Sequence, residues 1–267
     1  MEPYHIIKPS GKKVPILISS PHSGTAFPDE LKEHYDQEKI QAPEDTDWFI
    51  DKLYDFAPEM GITMITAKYS RWVIDLNRDP ESRPLYDDGR IITDLCPTMS
   101  FSGNPIYNED DLPDREEIER RINTYYWPYY RKIEILLKEL KEEFGQVLFW
   151  DAHSIKQYVP TIREEVFPDL ILGDNNEKTA SPELIKAALE TLEDSRLKVN
   201  HNDPFKGGHL TRYFGKPDQN QHALQLEMTK INYMDNAEKN YHGERADIVR
   251  SILKSTFESL IKTLSTK

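Results

Sequence analysis

The chain has 267 residues, of which 37% are hydrophobic and 30% are charged, and its net charge is −13. No apolar run approaches the roughly 20 residues needed to cross a bilayer. A surface with this much negative charge repels nucleic acid and anionic lipid. Neither a membrane nor a nucleic acid is therefore an expected partner. The single cysteine, Cys96, excludes an intrachain disulfide and a cysteine-built zinc finger, and with an N-terminus that lacks a signal-peptide pattern it favours a cytoplasmic location.

Short apolar runs rich in β-branched residues predict buried strands, and helical patterns alternate with them. The predicted strands are Val14–Ser19, Gly61–Ala67, Trp72–Leu76, Val147–Trp150, Asp169–Leu172 and Ala223–Met228. The predicted helices are Asp47–Ala57, Arg115–Phe144 with an interruption near Pro128, one that opens at Ser181-Pro182, and one from Gly243 to about Leu264. No linker or repeat divides the chain, so we predict a single domain over residues 1–267. The alternation predicts an α/β fold with a mixed, mostly parallel central sheet flanked by helices.

Two histidines follow predicted strands, at the edge of the sheet where α/β proteins bind ligands. His22 is the third residue after the predicted strand Val14–Ser19, and His153 is the third residue after Val147–Trp150. Taken alone, such a histidine is more often a hydrogen-bonded structural group. Because catalytic zinc commonly takes histidine and carboxylate ligands, the pair predicts a metal site. The third ligand is sought in Glu44-Asp45-Thr46-Asp47, although acids there also suit the first turn of a helix.

Two further carboxylates accompany these histidines. Glu227 lies inside the apolar run Ala223–Met228, where a charge is costly to bury unless it is paired or lies near a cation. It is a candidate general base, and an internal ion pair or a position on an edge strand is the structural alternative. Asp151 precedes His153 by two residues. It is a candidate for orienting an imidazole from behind, and a strand-end turn is an equally good explanation.

Arginines near the predicted strand ends are candidates for binding a substrate carboxylate, because guanidinium groups bind carboxylates with two parallel hydrogen bonds. Arg71 and Arg78 flank the predicted strand Trp72–Leu76, with Asn77 beside Arg78. Arg212 follows a turn that contains two adjacent glycines. Any single arginine is more often part of a surface ion pair. Several at one edge would form a pocket for a small anion with two carboxylates.

The motifs, taken together and in order, resemble the N-formylglutamate amidohydrolase (N-formylglutamate deformylase) family. They are Ser-Pro-His-Ser-Gly at 20–24, Asp-Thr-Asp-Trp at 45–48, Ser-Arg-Trp-Val-Ile-Asp-Leu-Asn-Arg at 70–78, Leu-Cys-Pro at 95–97, Phe-Ser-Gly-Asn-Pro-Ile-Tyr at 101–107, Asp-Ala-His-Ser at 151–154, Asn-Asp-Pro-Phe-Lys-Gly-Gly at 202–208 and Leu-Gln-Leu-Glu-Met at 224–228. The matches extend over residues 15 to 235, which makes the set far more specific than any one motif.

The resemblance implies a fold similar to that of the zinc carboxypeptidases and a metal-dependent hydrolysis. The implied metal is Zn²⁺ or another divalent ion, with His22, Asp47 and His153 as ligands. The implied reaction converts N-formyl-L-glutamate to formate and L-glutamate, late in histidine degradation. Glu227 is the implied general base, and Asp151 the orienting carboxylate. The residues expected to bind the small anionic N-acyl amino acid are Arg71, Asn77, Arg78 and Arg212.

The sequence leaves several alternatives open. A metal-dependent deacylase or carboxypeptidase-like hydrolase that acts on another N-acyl acidic amino acid is one, and a binding protein without catalytic activity is another. Tyr130 departs from the family pattern, in which histidine is expected at this position. Substrate preference is affected if this side chain contacts the substrate, and is unaffected if it only packs against other side chains. The oligomeric state is not predicted.

Overall fold

The computed structural model describes residues 2–81, 83, 85, 94–109 and 111–265. The strands are β1 Tyr4–Ile7, β2 Ile16–Ser20, β3 Thr63–Ala67, β4 Val147–Ile155, β5 Leu170–Gly173, β6 Val199–His201 and β7 Gln221–Thr229. The helices are α1 Ile50–Leu53, α2 Arg115–Arg121, α3 Trp127–Phe144, α4 Pro182–Glu193, α5 His209–Phe214 and α6 Gly243–Ser265. A π-helical segment, Ile122–Tyr126, joins α2 to α3.

These strands form one mixed, seven-stranded sheet in the order β1-β3-β2-β4-β7-β5-β6. The four neighbours β3, β2, β4 and β7 are parallel, and β5 and β6 form another parallel pair. The strand pairs β1–β3 and β5–β7 are antiparallel. The predicted α/β fold with a mostly parallel sheet is therefore confirmed. Because β2, β4 and β7 run in the same direction, their carboxyl ends meet at one edge.

Helices cover both faces of the sheet, and the side chains of β4 show which residues face which layer. Leu148 and Trp150 join the core under α1, α4 and α6. Val147 and Phe149 join the core under α3 and α5. Since successive strand residues point to opposite faces, His153 projects from the face that α3 and α5 cover.

The predicted strand Trp72–Leu76 is wrong, because this segment consists of turns and irregular backbone. Two of its backbone carbonyls accept hydrogen bonds from side chains of the helical layer. Arg121 donates to the carbonyl of Val73 at 3.0 Å, and the Tyr130 hydroxyl donates to the carbonyl of Leu76 at 2.8 Å. The side-chain donors satisfy carbonyls that a neighbouring strand would otherwise bind.

The helix predicted over Asp47–Ala57 is much shorter, because α1 covers only Ile50–Leu53. The residue before it, Phe49, has φ = 63°, which is a left-handed conformation that a continuing right-handed helix cannot contain. Asp47 consequently lies in a loop. The long predicted helix Arg115–Phe144 is present, and its interruption is the π-helical segment just before Trp127.

The remaining predicted helices are confirmed. Helix α4 begins at Pro182 after Ser181, and α6 covers Gly243–Ser265. The short strands β1 and β6 were not predicted. Within the described ranges, no helix is both long enough and apolar enough to cross a membrane.

Candidate metal centre and its cavity

Three buried side chains converge at the carboxyl-terminal edge of the sheet. His22 follows β2, His153 is part of β4, and Asp47 comes from the loop before α1. Each contributes a potential ligand atom, and these three atoms lie within 4.8 Å of one another. Two imidazoles and one carboxylate are a ligand set that suits a catalytic divalent metal such as zinc.

One carboxylate oxygen lies near both imidazoles. Asp47 Oδ2 lies 3.2 Å from Nδ1 of His153 and 3.8 Å from Nδ1 of His22. The backbone fixes this arrangement, since the Asp47 amide donates to the carbonyl of His22 at 2.9 Å. The Ser154 amide also donates to Asp47 Oδ2, at 3.2 Å. The two Nδ1 atoms are therefore the nitrogens that face a common point.

Of the three acids in the segment 44–47, Asp47 is the one in this cluster. Glu44 forms an ion pair with Lys156 at 3.0 Å. Burial raises the pKa of the Glu44 carboxyl, but hydrogen bonds, those from Ser100 and Lys156 foremost, outweigh it and bring the pKa to about 2. Asp45 accepts the indole N–H of Trp72 at 2.8 Å. Glu44 and Asp45 are thus held by other partners.

The outer nitrogen of each histidine contacts a second buried carboxylate. Nε2 of His22 lies 2.7 Å from Asp75 Oδ1, and Nε2 of His153 lies 3.1 Å from Asp151 Oδ1. A carboxylate behind a metal-binding imidazole fixes its tautomer and raises its basicity. Asp151 contacts an imidazole, and its role in orienting it stays a prediction. Asp75 is a functional candidate that sequence reasoning missed, although a charge inside the apolar run Val73–Leu76 was the available signal.

Without a bound metal, the protein shifts the pKa values of the two imidazoles in opposite directions. Burial, with Arg71 adding to it, lowers the pKa of His22 to about 4. Burial also opposes the charged form of His153, but Asp151 and Asp47 outweigh it and raise its pKa well above the usual value. His22 is therefore neutral at pH 7, whereas His153 must release a proton when its Nδ1 binds a metal.

Glu227 lies on β7 directly opposite His153 on β4. Its side chain lines the same cavity as His22 and Asp47. Burial raises the pKa of the Glu227 carboxyl to about 8, and the nearby Asp47 carboxylate adds to this effect. A carboxyl group with a raised pKa at a cavity wall is typical of a catalytic acid or base.

Two of the predicted arginines line the cavity, and Asp75 holds both. Arg71 donates to Asp75 Oδ2 at 2.6 Å, and its guanidinium lies over the Phe101 ring, 4.6 Å from the centroid. Nε of Arg78 lies 3.8 Å from the same Oδ2. These guanidinium groups place positive charge next to the metal ligands.

The other two predicted substrate-binding residues are placed differently. Asn77 lines the cavity, with Nδ2 3.0 Å from His153 Nε2, and its Oδ1 accepts a backbone amide of α5 at 2.8 Å. Arg212 donates to the carbonyls of Gly207 and Leu85, at 3.0 and 2.7 Å. It is absent from the described residues that line the cavity. Substrate contact by Arg212 stays a prediction.

The cavity above the cluster has a volume of about 410 Å³, within the range typical of small-molecule sites. Its polar edge carries the metal-ligand candidates, Glu227 and the arginines. Four of its apolar lining residues, which we call the apolar wall, are Phe101, Ile155, Ile162 and Phe205. The polar edge combines the parts that a metal-dependent hydrolase needs.

Tyr130 packs in the helical layer and is absent from the described lining of the cavity. It is 1% exposed, and its ring stacks on Tyr126 with centroids 4.3 Å apart. Its hydroxyl donates to the carbonyl of Leu76, next to Asn77. Tyr130, which stands where histidine was expected, therefore supports the loop that contains Leu76 and is not among the described residues that line the cavity.

Comparison with known proteins places these features in a family context. The model of the N-formylglutamate amidohydrolase family matches residues 14–234. An N-formylglutamate deformylase of Pseudomonas aeruginosa is 41% identical over 252 residues, which are 93% of each chain. Another, of Pseudomonas putida, is 36% identical over the same share of each. The crystal structure of an N-formylglutamate amidohydrolase from Ralstonia eutropha superposes with a TM-score of 0.81 at 26% identity and covers 97% of both chains.

Proposed function

This chain belongs to the N-formylglutamate amidohydrolase family, and from that premise we propose that it hydrolyses N-formyl-L-glutamate to formate and L-glutamate. One observation carries the proposal. The buried cluster of His22, Asp47 and His153 shares a cavity with Glu227 and with two arginines. Two relatives that are 41% and 36% identical to this chain are N-formylglutamate deformylases, which supports the choice of substrate.

We propose zinc as the metal, with His22, Asp47 and His153 as its protein ligands. Three such ligands suit catalytic zinc, which keeps a further position for water or substrate. A bound zinc ion supplies Lewis-acid chemistry, which lowers the pKa of water and polarises a carbonyl oxygen. Asp75 and Asp151 hold the outer nitrogens of the histidines, so that each Nδ1 is directed at the site.

Glu227 is the proposed general base. Its carboxylate accepts a proton from the attacking water and then delivers it to the amide nitrogen of the leaving glutamate. Its position on β7 opposite His153, in the same cavity, supports this role. A base is most efficient when its pKa lies near the working pH, and the raised pKa of Glu227 moves it in that direction.

Arg71 and Arg78 are proposed to bind the two carboxylates of the substrate. Both line the cavity, and both form ion pairs with Asp75. A guanidinium group binds a carboxylate with two parallel hydrogen bonds, which supports this role. Asn77, which also lines the cavity, is proposed to contact the substrate, and substrate contact by Arg212 stays a prediction. A place in histidine degradation and a cytoplasmic location also stay predictions.

A formate-release assay tests the proposed function. The zinc-reconstituted protein is compared on N-formyl-L-glutamate and on N-formyl-L-alanine, which lacks the side-chain carboxylate. We expect the glutamate derivative to have the higher kcat/KM by about tenfold or more, because it forms an additional charge-assisted contact with arginine. A chelator should abolish turnover, and added zinc should restore it. Absence of formate release from N-formyl-L-glutamate by the reconstituted protein would contradict the proposal.

A further inference from the structure

The apolar wall is a packed surface. Ile155 belongs to a buried cluster with Val159, Phe167 and Ile171, and the other three wall residues pack against that cluster. The ring of Phe205 stacks on that of Phe167 with centroids 5.3 Å apart. The wall is therefore held in place by a small core of its own.

The wall begins next to the catalytic edge. Ile155 follows His153 by two residues on β4, so both side chains project from the same face about 7 Å apart. Asp151 precedes His153 by two residues and contacts its Nε2. Along β4, the carboxylate behind the histidine thus lies on one side of His153, and the apolar wall lies on the other.

N-formyl-L-glutamate has no group that covers this wall. Its two carboxylates are drawn to Arg71 and Arg78, and its formyl carbon carries only a hydrogen atom. The wall would stay in contact with water in such a complex. A longer acyl substituent that lies on the wall would remove apolar surface of Ile155, Ile162 and Phe205 from water.

We propose that the apolar wall binds the acyl chain of larger N-acyl-L-glutamates, so that the protein also deacylates aliphatic and aromatic N-acyl-L-glutamates. The inference rests on the proposed function, since it uses the same Glu227 and the same metal-ligand cluster. The reaction breaks the amide C–N bond. The oxygen of water bonds to the acyl carbon to give a carboxylate, and the amide nitrogen leaves with both protons of that water as the ammonium group of L-glutamate.

The test measures L-glutamate release from N-formyl-, N-acetyl-, N-butyryl- and N-benzoyl-L-glutamate by the zinc-reconstituted protein. We expect kcat/KM to rise from the acetyl to the butyryl compound by about fourfold per added methylene. In Ile162→Ala, the ratio of butyryl to formyl kcat/KM should fall about tenfold. Ile248→Ala is the matched control, because Ile248 is 61% exposed on α6, and it should leave the ratio unchanged. The ratio of butyryl to formyl kcat/KM does not change when part of the protein is unfolded. Phe205→Leu provides a second variant of the wall.

Each outcome bears on the inference. A kcat/KM that falls steadily from formyl to benzoyl, or a butyryl-to-formyl ratio unchanged in both wall variants, overturns the inference and leaves the proposed function standing. Hydrolysis of butyryl- and benzoyl-L-glutamate without hydrolysis of the formyl compound supports the wall and contradicts formyl as the substrate group. Release of glutamate from none of the four compounds overturns both.

Discussion

Asp75 contacts His22 and Arg71 at the same time, with Oδ1 2.7 Å from Nε2 of the histidine and Oδ2 2.6 Å from the guanidinium. Burial raises the pKa of the Asp75 carboxyl, but Arg71, His22 and Arg78 outweigh burial and lower it well below the usual range. The group is therefore an anion at neutral pH. One buried carboxylate thus couples a candidate metal ligand to the candidate substrate-binding arginines.

Asp75→Asn is expected to weaken both functions that this carboxylate supports. The substitution removes the negative charge behind His22, so zinc affinity should fall about 10–100-fold. KM for N-formyl-L-glutamate should rise as well, because Arg71 loses its fixed partner. Zinc competition with a coloured chelator and steady-state kinetics measure the two effects. Asp79→Asn is the control, since Asp79 is similarly buried but forms an ion pair with Arg83; equal effects of the two substitutions would refute the role of Asp75.

Glu227→Gln is expected to separate catalysis from metal binding. The amide keeps the shape of the side chain but cannot accept the proton from water, so kcat should fall about 10²–10⁴-fold. Zinc content, measured by mass spectrometry, should match that of the unaltered chain. Glu244→Gln, at the exposed start of α6, should retain normal kcat. Near-normal turnover in Glu227→Gln would eliminate Glu227 as the general base.

The raised pKa of Glu227 predicts a pH dependence of stability in the metal-free protein. The folded chain holds this proton up to about pH 8, whereas the unfolded chain releases it near pH 4.3. Because the folded state binds more protons within this window, the free energy of unfolding falls as the pH rises through it. Glu227→Gln removes this contribution. In thermal unfolding with a chelator present, the Tm advantage of the variant should grow from pH 5 to pH 8, and a constant difference would refute the raised pKa.

Tyr130→Phe is expected to affect stability more than substrate binding. It removes the hydroxyl that satisfies the Leu76 carbonyl in a buried environment, which should lower the free energy of unfolding by about 1–2 kcal/mol. Urea unfolding measures this loss. Tyr158→Phe serves as the control, because Tyr158 is 52% exposed, and it should stay within about 0.5 kcal/mol. A large increase of KM for Tyr130→Phe without loss of stability would show that the residue contributes to binding.

The sequence was a good guide to the residues at the ends of parallel strands. His153 and Glu227 belong to strands with long apolar runs, and His22 lies two residues after another such strand. A parallel sheet brings the carboxyl ends of its strands to one edge. The family resemblance that these motifs carried is confirmed. The choice of Asp47 over Glu44 and Asp45 came from that resemblance and not from the pattern of the residues.

What the sequence did not reveal depends on contacts between distant segments. The run Trp72–Leu76 has the composition of a buried strand, but side chains of the helical layer bind its carbonyls. The role of Asp75 depends on a histidine 53 positions away, which no local spacing encodes. The strand Val199–His201 is short and half-buried, so it lacks the apolar signal that marks a strand.

Zinc stoichiometry measured together with turnover tests most directly the claim that His22, Asp47 and His153 hold a catalytic metal. The unaltered chain, Asp47→Asn and Glu44→Gln are each reconstituted with zinc, dialysed, and analysed for zinc content and for formate release. The structure predicts stoichiometric zinc and full activity for the unaltered chain and for Glu44→Gln, because Glu44 pairs with Lys156 outside the cluster. It predicts loss of both zinc and formate release for Asp47→Asn. Stoichiometric zinc in Asp47→Asn, or full turnover by the zinc-free chain, would contradict this account.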